Sequence, residues 1–236
     1  MECQFGMYVI DLWTWSCSDE GSAPACANDL LSPEERERAA RFVFGRDRTR
    51  FISHHSQMRR ILSTYLSCDP RTIAFTTGPH GKPFLRRRHN SNLQFNLSHS
   101  EELAILAVAP GLELGIDVEM LRPLKEDVAG RFFSKNENEA LAKFPAEYFI
   151  RGFFECWTSK EAFVKARGEG LSIPLDSFDV AIGPSVPPAI LRIHNQPEAE
   201  AAAWHLWRFE PAPGFVATLA ARVGAHPWEI RRRTSG

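Results

Sequence analysis

Residues 32–66 read SPEERERAARFVFGRDRTRFISHHSQMRRILSTYL, and residues 134–166 read SKNENEALAKFPAEYFIRGFFECWTSKEAFVKA. Both begin as helices. Ser32 offers a hydroxyl N-cap, Pro33 presets the first helical turn, and Glu35 reaches back to complete a capping box. Ser134 and Glu137 repeat that spacing. Helix-permissive sequence follows each start, and then come short β-like runs. These are IAF, LQFNL and LAILAVA in the first half, and FDVAI, AILRI, HLWRF and FVATLAA in the second. A long helix followed by about three strands, repeated at an offset of roughly a hundred residues, predicts an α+β fold built by duplication. The expected architecture is two similar subdomains related by pseudo-twofold symmetry, residues 1–112 and 113–236, each a small antiparallel sheet packed on a long helix.

Bulk composition narrows the class further. The 236 residues are 44% hydrophobic, enough for a sizeable core. With 28 Lys+Arg against 29 Asp+Glu, the net charge of -1 argues against a nucleic-acid binder and leaves small molecules and proteins as partners. No apolar run is long enough to span a membrane, and MECQFGM lacks the pattern of a secretory signal, so a cytoplasmic protein is expected. The five cysteines (Cys3, Cys17, Cys26, Cys68 and Cys156) are scattered without a CxxC pair, which fits reduced, packed thiols.

Three polar clusters carry candidate chemistry. In Leu112–Glu119, residues Leu112, Leu114, Ile116 and Val118 share one strand face, while Glu113, Gly115, Asp117 and Glu119 share the other. Asp117 and Glu119 then project side by side, about 6.5–7 Å apart. Such hard oxygen donors can share one divalent cation, with Gly115 leaving room for a bulky anion. The same alternation also describes a strand with one wet face. Trp157, Glu161 and Lys165 fall four apart on a helix ended by Gly168, forming a stripe that also reads as a surface ion pair. The third cluster, Asn96-Leu-Ser98-His99-Ser100, lies near the Gly81-Lys82-Pro83 loop, and its Ser, His and Lys groups suit phosphate. Pro110-Gly111 reads as a hairpin turn, which would put Ser98 and His99 at the same end as Asp117 and Glu119.

Taken in order, Phe95-Asn-Leu-Ser-His-Ser100, Gly115-Ile-Asp-Val-Glu119 and Trp157-Thr-Ser-Lys-Glu161-Ala-Phe-Val-Lys165 resemble the signature motifs of the 4'-phosphopantetheinyl transferases. Length and duplication resemble the larger, Sfp-type branch. The likeness extends over Arg41-Phe-Val-Phe-Gly-Arg-Asp47, Arg131-Phe-Phe-Ser134 and Gly170-Leu-Ser-Ile-Pro-Leu-Asp176. The resemblance implies transfer of the phosphopantetheine arm of coenzyme A to a serine of an acyl or peptidyl carrier protein, releasing adenosine 3',5'-bisphosphate. It implies Mg2+, or Mn2+, on Asp117, Glu119 and Glu161, with Lys165 on the pyrophosphate. Arg46, Lys82, Ser98 and His99 would bind the adenosine end. Glu161 would be the base, directly or through water, with Asp117 as the alternative.

Some members carry lysine at the position of Glu35 and a small hydroxyl residue at that of Phe51; Arg38, Arg41 and Arg50 are the candidates to compensate. The carrier is expected on residues 121–134, with Arg122, Pro123, Lys125 and Arg131 exposed and Phe132 and Phe133 either apolar contacts or core. A monomer is expected, since a duplicated chain can supply both halves of one site. Two other readings are a non-catalytic coenzyme A binding module and a metal-dependent nucleotide phosphohydrolase. Binding without turnover would mark the first, and release of phosphopantetheine without a carrier the second.

Overall fold

The computed structural model describes residues 6–17, 27–124, 128–183 and 185–234. The chain runs β1 (Tyr8–Ser16), α1 (Pro33–Ala40), α2 (Gly45–Leu66), β2 (Phe75–Thr77), β3 (Pro83–Leu85), β4 (Leu93–Ser100), β5 (Leu103–Pro110) and β6 (Leu114–Met120). It continues through α3 (Val128–Phe132), α4 (Lys135–Leu141), α5 (Ala146–Arg167), β7 (Phe178–Val180), β8 (Ile190–Ile193), α6 (Glu198–Ala202), β9 (His205–Phe209), β10 (Phe215–Ala221) and β11 (Trp228–Thr234).

Four layers result. The sheet β11-β1-β5-β4 and the sheet β6-β10-β9 face each other, with Leu12, Ile105, Ile116 and Leu219 between them. On its outer face the first sheet packs Leu106 and Val108 against Met58, Ile61 and Leu62 of α2. The second packs Val216 and Ala220 against Phe153, Ala162 and Phe163 of α5. The fold is therefore α+β, with each principal sheet on a 22-residue helix.

Both expected helix starts form as capping boxes. Ser32 Oγ accepts from Glu35 N–H while Ser32 N–H donates to Glu35 at 2.8 Å, and Ser134 and Glu137 repeat the arrangement. Each capping glutamate also reaches inward. Glu35 accepts from Arg59 of α2 at 2.7 Å, and that guanidinium donates to Pro70 O and Ile73 O and lies 5.1 Å from the Phe75 ring centroid. Glu137 pairs with Lys160 of α5 at 2.8 Å, and that ammonium donates to Leu175 O and Phe178 O and lies 4.2 Å from the Phe178 ring centroid. Arg59 and Lys160 are both buried. An apolar interior tolerates such cations only when they are paired and hydrogen-bonded, which these contacts achieve.

The expected hairpin at Pro110-Gly111 does not form. β5 pairs with β4 and β1, whereas β6 pairs with β10, so the chain leaves one sheet for the other at Gly111. The hairpin lies one step earlier: Ser100 pairs with Leu103, and the turn Glu101-Glu102 is stabilised where Arg50 grips Glu101 at 2.9 Å. β1 and β11 went unread in the sequence. β11 lies parallel to β1, so the sheet of the first half is mixed and not antiparallel as expected, and the C-terminal strand returns to the N-terminal half.

Candidate active site

The site lies where α5 crosses β6. A Cβ at Gly115 would sit 2.2 Å from Ala162 O and 2.3 Å from Ala166 N, so only glycine lets the helix rest directly on the strand. Gly115 therefore makes room for α5 and not for an anion, contrary to the sequence reading. The rotation of α5 is fixed in turn by Thr158 Oγ1, 2.9 Å from Thr218 Oγ1 on β10.

This close contact turns the presumed wet face of β6 into an interior one: Asp117 is buried, and Glu119 is half-buried. Lys165 passes over Asp117 and donates to its Oδ1 at 2.5 Å. Ser98 Oγ donates to the same oxygen at 3.0 Å and accepts from Lys165 at 3.1 Å. Glu119 accepts from Ser100 Oγ and Arg122, each at 3.1 Å. The three motifs thus meet at one point, with Ser98 from β4, Asp117 and Glu119 from β6, and Lys165 from α5. The failed hairpin does not undo this convergence, because β4 lies directly beside β6.

Among the described residues, no three His, Cys, Asp or Glu side chains are already gathered closely enough to enclose a metal ion. The donor chemistry nevertheless fits a divalent cation. Asp117 Oδ2 is buried without a hydrogen-bond partner. Burial and the neighbouring Asp117 charge both raise the pKa of Glu119, and burial, Asp117 and Glu119 raise that of Glu161 against the opposing pull of Lys165. Crowded carboxylate oxygens of this kind are stabilised by a hard cation.

Cationic groups gather around His99. His99 is accessible, and its pKa is lowered by loss of solvation and by Lys165, His55, Arg50 and Arg38. Arg50, held on Glu101, and Arg38, over the Phe51 ring, lie near enough to act on His99, whereas Arg41 pairs with Glu37 on the surface. Arg46 is also on the surface, 65% exposed in the first turn of α2 and beside Asp47. Lys82 is spent mostly on backbone: its ammonium donates to Leu114 O at 3.1 Å and Ala166 O at 2.9 Å, and burial brings its pKa down to about 8. Phe51 stacks on His55 at 4.0 Å under Arg38, and Glu35 accepts from His55 at 3.1 Å.

His54 was missed in the sequence, although its four-residue spacing from Arg50 places both on one helix face. It is fully buried, stacks on His99 at 5.0 Å between centroids, and has Cys17 Sγ 3.5 Å from its Nε2. Burial first, then the charges of His99, His55 and Arg50, bring its pKa from 6.5 to about 3. A base with a depressed native pKa costs stability wherever the unfolded chain takes up a proton that the folded chain does not. Stability is therefore full above about pH 6.5 and falls as pH drops toward 3, at up to about 1.4 kcal/mol per pH unit. Chemical denaturation of the His54→Phe variant between pH 6.5 and 5 is expected to show a clearly flatter profile than wild type; parallel profiles would remove His54 as the source.

Toward the second half, Arg122, Pro123 and Arg131 are exposed, Phe133 is core, and half-buried Phe132 meets Trp157 edge-on at 5.9 Å. Lys125 lies outside the described residues.

Carboxylates suited to a divalent cation beside cationic groups suited to phosphate are the chemistry that a group-transferring enzyme requires. Residues 113–220 match the 4'-phosphopantetheinyl transferase superfamily, and residues 14–111 match the 4'-phosphopantetheinyl transferase N-terminal family. The 4'-phosphopantetheinyl transferase HetI of Nostoc sp. is 38% identical over 202 residues, covering 84% of this chain and 81% of its own. The 4'-phosphopantetheinyl transferase Sfp of Bacillus subtilis is 32% identical over 198 residues, 84% of each chain. The Thermotoga maritima holo-[acyl-carrier-protein] synthase structure overlaps 47% of this chain and 62% of its own at a TM-score of 0.37 and 22% identity, too loosely to carry weight. The chain belongs to the 4'-phosphopantetheinyl transferase superfamily and is a transferase of that kind.

Proposed function

We propose that the chain transfers the 4'-phosphopantetheine arm of coenzyme A to a serine of an acyl or peptidyl carrier protein, releasing adenosine 3',5'-bisphosphate: a holo-[acyl-carrier-protein] synthase activity. The observation that carries this reading is the junction of Ser98, Asp117 and Lys165, which joins the three motifs at one charged point. Asp117, Glu119 and Glu161 would hold Mg2+, or Mn2+ in its place. When bound, the ion would neutralise charge on the pyrophosphate of coenzyme A.

The chain's own residues supply the rest. Lys165 gives a fixed positive charge beside the leaving bisphosphate, where electrostatic stabilisation lowers the barrier most. Glu161 is the base that takes the proton from the attacking serine, directly or through a water, and Asp117 is the alternative. His99 and Ser98, with Arg38 and Arg50 behind them, receive the phosphates of the adenosine end. Lys82 holds the loop of that end against β6 and α5 with the donors described above and has one ammonium proton left for a phosphate. Arg46 contributes from the surface.

The carrier would dock on residues 121–134, where Arg122 and Arg131 offer positive charge to an acidic helix and Phe132 offers an apolar edge. We further read residues 1–112 and 113–236 as duplicated halves about a pseudo-twofold axis. The paired glutamate–cation cores of Glu35–Arg59 and Glu137–Lys160 support this. Because both halves contribute residues to this point, a monomer suffices. A cytoplasmic location fits the buried thiol of Cys156, and no helix among the described residues is long and apolar enough to cross a membrane.

Incubation with Mg2+, coenzyme A and a panel of apo carrier proteins should add one phosphopantetheine group to a carrier, read by mass spectrometry. No gain on any carrier, where a known transferase works, would refute this reading.

A further inference from the structure

β6 is an edge strand of its sheet, and β4 is an edge strand of the other. Among the described residues no backbone ladder joins them, yet the outward amides of β6 are not left bare. Ile116 N–H donates to Asn96 Oδ1 at 2.8 Å, Val118 N–H to Ser98 Oγ at 3.4 Å, and Met120 N–H to Ser100 Oγ at 3.0 Å. Alternate side chains of one strand thus meet alternate amides of the other in a constant register, a zipper that satisfies an edge which would otherwise bury unpaired donors.

The zipper also aims the carboxylates. A serine hydroxyl has one proton, and while Ser100 Oγ accepts from Met120 N–H it gives that proton to Glu119 Oε2 at 3.1 Å. Ser98 does the same between Val118 and Asp117. Asn96 gives no proton to a carboxylate, but it fixes the amide immediately before Asp117. Each carboxylate is therefore tied to the strand position next to it through one side chain of β4.

We infer that Asn96 and Ser100 are positioning residues: they act through the edge of β6 to set the directions of Asp117 and Glu119, and Ser100 does so by a hydrogen bond that any β-hydroxyl side chain can supply. The consequence for cation affinity rests on the cation reading above; the zipper does not. Removing a group that orients a metal-binding carboxylate typically weakens the metal by about 10-fold or more.

The test uses the full chain with Mn2+ as probe, followed by the electron paramagnetic resonance signal of the free ion, and hydrogen exchange at the β6 amides. Ser100→Ala should bind Mn2+ about 10-fold more weakly and exchange Met120 N–H faster, whereas Ser100→Thr should keep both properties of the wild type. Asn96→Ala should do the same to Ile116 N–H. Circular dichroism and thermal melting exclude a general loss of fold, and Ser100→Thr controls for local packing. Wild-type Mn2+ affinity together with wild-type Met120 protection in Ser100→Ala would overturn the inference. If the wild-type chain itself binds no Mn2+, the cation reading fails and the exchange data alone decide. Protection lost in alanine and kept in threonine then supports the zipper, and protection unchanged in alanine overturns it.

Discussion

Asp117→Asn is expected to lower carrier loading by at least about two to three orders of magnitude while leaving the protein folded. Asparagine keeps the shape of the side chain and can still accept from Ser98 and Lys165 through its remaining oxygen. It loses the charge that balances the Lys165 ammonium and removes one hard donor from the carboxylate set. Oδ2, the oxygen with no partner in the folded protein, becomes an amide nitrogen that repels a cation. Folding should barely change. Lys165 is 30% exposed, so its ammonium can turn to water, and the lost pair is worth about 1 kcal/mol or less. Mass spectrometry of the carrier gives the first quantity and thermal unfolding the second. Near-normal loading would take Asp117 out of the site altogether. Glu161→Gln should show the same split between activity and stability, because Glu161 is half-buried and makes no hydrogen bond or ion pair among the described residues.

The contrast between these positions and their surroundings shows what a sequence can disclose. That Asp117, Glu119, Glu161 and Lys165 would come together was legible because strand alternation and helical spacing are local, and three such segments in a fixed order point to one place more sharply than any one of them. Capping boxes were legible for the same reason: Ser32 and Glu35 find each other within one turn. Gly115 was misread because its meaning comes from Ala162 and Ala166, far along the chain, whose backbone fills the space a side chain would take. The hairpin at Pro110-Gly111 was misread because turn residues say that the chain bends, not which sheet receives it. Lys82 reads as a phosphate ligand in its loop, yet folding brings two carbonyl oxygens to its ammonium. β11 was missed because Arg231, Arg232 and Arg233 hide an edge strand, although Arg233 donates to Asp11 of β1 at 3.1 Å once the two strands are paired.

Lys160→Met should destabilise the fold by about 3–5 kcal/mol, the range for breaking a buried ion pair, and lower the melting temperature by about 10 °C. Both partners are essentially inaccessible, Lys160 at 0% and Glu137 at 2%. Among the described residues methionine leaves the Glu137 carboxylate with only the amides of Ser134 and Val180, and it leaves Leu175 O and Phe178 O without their Lys160 donor. Adding Glu137→Gln to Lys160→Met should recover part of the loss, since the penalty lies in the stranded charge more than in the missing bond. The matching variant in the first half, Arg59→Met, should cost less, because Glu35 keeps His55 as a partner and is nearer to water. It should add a pH signature. Burial alone would raise the pKa of Glu35, but His55, the Ser32 amide and Arg59 outweigh it and hold the value at about 2. The stability Glu35 contributes is thus present above about pH 4.5 and lost as pH falls toward 2, and Arg59→Met should flatten that acid limb. Calorimetry distinguishes coupled halves from independent ones: a shared core between the two sheets requires each variant to shift one common transition, whereas two transitions, each sensitive to one variant, would separate the halves. Because Lys160 precedes Glu161 on α5, any residual loosening of the helix in Lys160→Met should also reduce carrier loading at temperatures well below the melting point.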